Sequence, residues 1–177
     1  MDHRVKSAAT LGALTMLCLI GLLLGLRAIT ADLPNDLIEE PGPACEPRTV
    51  EKGGKIAAAD VLVSVYNAGT RSGRASRTMN QLQERGFVAG ESGNAPKDTD
   101  VRRAQVWAAD PSNPAARLVA RQFGRETKVV TGNPVLGIGV VVVVGDSFEK
   151  LVKGAPRQVI APRRAEICSP PVETARP

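Results

Sequence analysis

VLVSVYNAGTRSGRASRTMNQLQERG, residues 61–86, decides the fold. Its first seven residues alternate as a strand does, with Val61, Val63 and Val65 on one face and Leu62 and Tyr66 on the other. The period then changes. Ala75, Met79 and Leu82 recur at four- and three-residue spacing, which puts them on one face of an amphipathic helix. Gly86 is placed to end that helix. A strand, a tight turn and a helix in this order begin a layered α/β arrangement.

The pattern continues outward. FVAGES (87–92) reads as a second strand, NAPKDTD (94–100) as a loop and RRAQVWAA (102–109) as a third strand. DPSNPAARLVARQFG (110–124) is a second helix. Asn113 is its cap, Pro114 fits its first turn, and Ala115, Leu118, Val119 and Phe123 form the buried stripe. TKVVTG (127–132) and GIGVVVVVGD (137–146) are strands four and five. Five consecutive valines suit a strand buried on both faces in mid-sheet. The order β-α-β-β-α-β-β predicts a two-layer α+β domain over residues 58–153, a mixed sheet with both helices on one face.

The flanks differ in character. Ser7 to Leu26 carries no charged side chain. Twenty such residues rise about 30 Å as a helix, the thickness of a bilayer core. This is longer than the apolar stretch of a cleaved signal peptide, and Arg27-Ala28-Ile29-Thr30 is a poor cleavage site. Residues 7–29 therefore read as an uncleaved transmembrane anchor. Arg4 and Lys6 precede it, and Asp32, Asp36, Glu39 and Glu40 follow it. That asymmetry puts residues 1–6 in the cytoplasm and the C-terminal body outside the plasma membrane. Residues 30–57 read as an acidic, Pro/Gly-rich stalk, and 154–177 as a proline-punctuated tail.

Cys45 and Cys168 are the two cysteines outside the apolar segment, and they bracket the domain. In an oxidising compartment they make a disulfide. From Lys52 to the end there are 19 Lys and Arg against 11 Asp and Glu, so the body is basic. Such a body suits an acidic envelope partner: an anionic glycan, an anionic lipid or an acidic protein. Three Phe, one Tyr and one Trp offer little stacking surface for nucleic acid.

Chemistry is hard to place. The one histidine is His3. That removes Ser-His and Cys-His nucleophiles and histidine metal sites from the body, and we expect no enzyme, no metal and no cofactor. Asp98-Thr99-Asp100 reads as a solvated loop, and Asp146 as a cap for the segment that follows it or a ligand contact at the sheet's end. The turn after the first strand fits neither a Walker A loop nor a dinucleotide fingerprint. Gly69 is read as allowing positive φ, and Ser72 as capping the helix. Arg71, Arg74 and Arg77 crowd the helix N-terminus, where free N–H groups favour an anion. Asn67, Gly69, Arg71, Ser72, Gly73, Arg74 and Arg77 are thus the candidate anion-binding residues. Arg117, Arg121 and Arg125 form a second stripe, which reads more simply as a solvated face.

VSVYNAGTRSGRASRTMNQLQERGFVAGESGNA (63–95), VWAADPSNPAARLVARQFG (106–124) and VVVVVGDSFEKL (140–151) together resemble the LytR C-terminal domain family. The resemblance covers about residues 60–152, with Asn67-Ala68-Gly69 where the family has Asn-Gly. It implies the accessory module of LytR/CpsA/Psr proteins, which attach polymers to peptidoglycan, without their larger catalytic domain. One anchor, a stalk and a lone module look like the actinobacterial cell envelope integrity proteins. The resemblance implies a scaffold whose partners are envelope proteins, including LytR/CpsA/Psr proteins or others with this domain. A binding module for peptidoglycan-linked glycan is the alternative.

Overall fold

The computed structural model describes residues 14–23 and 45–171, in two units, Met1–Gly42 and Pro43–Pro177. In the first unit residues 14–23 form helix α1, with every side chain exposed. No helix among the described residues is long and apolar enough to cross a membrane. The expected span, 7–29, runs beyond α1 at both ends and so lies largely outside the described residues.

The second unit contains β1 (Glu46–Val50), β2 (Lys55–Ala57), β3 (Leu62–Asn67), α2 (Arg74–Gln83), β4 (Val88–Asn94), β5 (Ala104–Trp107), α3 (Pro114–Phe123), β6 (Lys128–Val130), β7 (Val140–Val144), β8 (Gln158–Ile160) and β9 (Ala165–Ser169). From β3 to β7 this is the expected β-α-β-β-α-β-β order. The five strands make one mixed sheet in the order β4-β3-β7-β5-β6. α2 links the parallel neighbours β3 and β4, and α3 links the parallel neighbours β5 and β6. The all-valine β7 lies between these two units, parallel to β3 and antiparallel to β5.

Alternation along the strands fixes which face meets the helices. Val63, Val65, Val106, Val142 and Val144 point to the face that packs against Ala75, Met79 and Leu82 of α2 and Ala115, Leu118, Val119 and Phe123 of α3. Tyr66, Trp107, Val141 and Val143 take the other face. There Val101 and Leu136, from two connecting segments, cover them instead of a helix. β3 carries a register shift between Val63 and Val65 where it pairs with β4. Ser64 fills it: its hydroxyl donates to Ile138 O at 2.7 Å and accepts from Glu91 N–H at 3.0 Å. Gly90 is required beside it, since a Cβ there would lie 2.6 Å from Ser64 Oγ.

The flanks of the domain differ from their reading as stalk and tail. β1 pairs antiparallel with β9, and β2 with β8. Val50, Ile56, Ala161 and Ile167 of these segments belong to the main core. These strands are three or five residues long, too short to show a period, and the Pro and Gly lie mostly in the segments between them. Their pairing is long-range, and the Cys45–Cys168 disulfide (Cα–Cα 5.3 Å) closes the β1–β9 end. Asp60 ties this ribbon to the sheet: it accepts from Arg48 Nη1 at 2.8 Å, and its backbone carbonyl accepts from Ser169 Oγ at 3.0 Å.

Candidate functional site

The β3–α2 turn starts at Asn67, which is buried at the end of β3. Its Oδ1 accepts from Gly69 N–H at 3.0 Å and its Nδ2 donates to Arg71 O at 3.0 Å, so one side chain folds the turn around itself. The next N–H of the loop is already bonded. Thr70 N–H donates to both oxygens of Asp146 at 3.0 Å, and Thr70 Oγ1 donates to Oδ2 at 3.1 Å. Arg71 N–H adds to the same carboxylate. Arg74 turns inward: its Nη1 donates to Phe148 O and its Nη2 lies 3.4 Å from Asp146 Oδ1.

The loop therefore holds an anion, and that anion is the protein's own. Asp146 follows β7, and β7 is the neighbour of β3 in the sheet, so the two strand ends meet although the residues lie 76 positions apart. The Thr70 backbone bond holds the Asp146 carboxyl below the usual carboxylate range, helped by the Thr70 hydroxyl, Arg71 N–H and the Arg74 charge and opposed by desolvation. Asp146 as the partner of the loop is the feature that sequence reasoning missed. Its one trace is Gly145-Asp146 straight after the valines.

Two assignments in the turn change. Gly69 does not have positive φ; it is small because a Cβ there would stand 2.4 Å from Asp146 Oδ1. Gly73 is the left-handed residue, at φ 73°, and it caps α2 with no side-chain bond, so Ser72 is not the cap. The side chains of Arg71, Ser72 and Arg77 are exposed. Of the seven candidates, the structure brings Gly69 and Arg74 to Asp146 in a turn folded by Asn67, sets Gly73 at the start of α2, and leaves these three side chains on the surface.

Elsewhere, Asp98 and Asp100 are exposed in the turn after β4. Among the described residues no group of three or more His, Cys, Asp or Glu could hold a metal ion. Tyr66 Oη donates to Glu91 Oε2 at 2.8 Å and also meets Leu136 O. Burial, and then Glu91, push its pKa up to about 12. At the β6 edge of the sheet, Arg117, Arg121, Arg125 and Lys128 line an open groove of about 640 Å³ along α3 and β6.

A family model described as LytR cell envelope-related transcriptional attenuator matches residues 60–148, about half of the chain. The chain belongs to the LytR C-terminal domain family. This is an accessory domain rather than a catalytic one, and the match spans the five-stranded sheet, both of its helices and Asp146. No curated protein matches the chain. The soluble domain of a conserved hypothetical secreted protein from Mycobacterium marinum is similar in structure, with 20% identity and a TM-score of 0.47 over 63% of this chain and 78% of that one.

Proposed function

We propose that this protein is a single-pass, extracytoplasmic component of the cell envelope that supports envelope integrity and cell-wall assembly through protein contacts, without catalysis. The observation that carries this reading is the membership of residues 60–148 in an accessory family of envelope proteins. Two features support it. The Cys45–Cys168 disulfide suits an oxidising compartment outside the cytoplasm. The uncharged stretch from Ser7 to Leu26 suits an anchor. The partners in this reading are other envelope proteins, LytR/CpsA/Psr enzymes among them.

The competing reading is a module for anionic cell-wall glycan or lipid, using Arg71 and Arg77. Asp146 weakens it, because the loop's donors and Arg74 are already engaged. Co-sedimentation of the full chain, in neutral detergent, with purified sacculi over a salt series tests the two. Protein-contact function predicts no salt-sensitive binding that depends on these arginines. Binding that weakens steeply with salt and is lost in R71A/R77A would replace it with the glycan module.

A further inference from the structure

β6 ends the sheet. It pairs with β5 on one side, and no described strand pairs with its other edge. Beside that edge runs the groove lined by Arg117 and Arg121 of α3, by Arg125 just past the helix, and by Lys128 of β6 itself. Four cations line this groove, and among the described residues no carboxylate does. Thr127 and Thr131 flank the strand and also line it. Val129 packs toward the helices and Val130 toward the opposite core, so β6 is held firmly while its outer edge stays open.

An open strand edge offers backbone N–H and C=O groups at the spacing of another strand, and extended peptides are recognised by adding to such edges. Flanking cations choose an acidic occupant. They also work against pairing of two β6 edges, which would bring two such clusters together. We propose that the α3–β6 groove docks an acidic, extended polypeptide segment, which adds beside β6 as a sixth strand with its carboxylates against Arg117, Arg121, Arg125 and Lys128. The proposal rests on the protein-contact function and names the chemistry of the partner.

The probe is a fluorescent peptide of alternating Glu and Val, about the length of an ordinary strand. Its anisotropy is followed with the full chain in neutral detergent. Binding should weaken roughly tenfold in R121A/K128A, as loss of two exposed ion pairs predicts. It should be unchanged in R71A/R77A and lost when alternate peptide nitrogens are methylated. Methylation tests strand pairing without touching the protein's own fold. Absence of binding, equal binding of the methylated peptide, or equally tight binding of inorganic polyphosphate would overturn the proposal; the last two would make the groove a general polyanion site. If the peptide fails while sacculus binding is also absent, only the docking site falls. Arginine-dependent, salt-sensitive sacculus binding would instead remove the protein-contact function beneath it.

Discussion

Gly69 has no room for a side chain because Asp146 stands where its Cβ would be. Gly69→Ala should therefore cost about 1–3 kcal/mol, as overpacking does. That cost should shrink in a D146A background, and denaturant unfolding of the four proteins of this cycle measures the coupling. The sign of the pH effect follows from the lowered Asp146 pKa. A carboxyl held below its unfolded value stabilises above that value, near 4, and the contribution is lost as pH falls through the folded pKa. The stability advantage of the wild type over D146N should thus be present at neutral pH and vanish in acid. Tyr66 gives the opposite case. With its pKa raised to about 12, its contribution is full below its ordinary value near 10 and is lost as pH rises through 12. It is the one tyrosine in the chain, so ultraviolet titration should show phenolate appearing near pH 12; a midpoint near 10 in the folded protein would contradict the Glu91 and Leu136 contacts. At this scale the residue types at the turn were legible and their partners were not. Asn67, Gly69 and the arginines announce a turn with anion chemistry, but nothing local says that an aspartate 76 positions away supplies the anion.

The helices follow from period and caps, and the five sheet strands from alternation or from valine-rich runs, Val129-Val130 and Val140–Val144 among them. Ala75, Met79 and Leu82 on α2, and Ala115, Leu118, Val119 and Phe123 on α3, are buried as their spacing requires. Asn113 caps α3 by accepting from Ala115 N–H at 2.9 Å. The three- and five-residue strands β1, β2, β8 and β9 carry no such signal. They exist because the domain's first and last described segments meet across the core, where Ile56, Ala161 and Ile167 are nearly inaccessible. The disulfide spans 123 positions across that meeting. In the loop-entropy account such a closure is worth about 5 kcal/mol. C45S/C168S should lower the unfolding midpoint accordingly, and reduction of the wild type should reproduce the loss. If both proteins unfold like the oxidised wild type, the closure does not constrain the unfolded chain as described.

For the whole molecule, the asymmetry of charge and hydropathy along the chain sets the expectation: an apolar segment, an acidic connection and a basic body. The first described strand of the body begins at Glu46, so part of what the composition suggested as a connection belongs to the domain. We predict that the full chain stays with membranes through alkaline carbonate extraction, and that protease added to spheroplasts reaches Pro43–Pro177 from outside. Release by carbonate, or protection from protease, would contradict the anchored, outward-facing arrangement. The valine run announced a mid-sheet strand but not its neighbours: β7 inserts between β3 and β5, and only tertiary pairing reveals that order. That insertion brings Asp146 to the turn and leaves β6 at an edge beside the basic groove. The most direct measurement of the central claim is photo-cross-linking in intact cells, with the cross-linker placed at Arg121 and, in a second variant, at Arg77. Function through protein contacts predicts discrete adducts of defined mass that survive digestion of the wall by muramidase. Heterogeneous adducts that collapse on muramidase treatment would show glycan at the surface instead and contradict it.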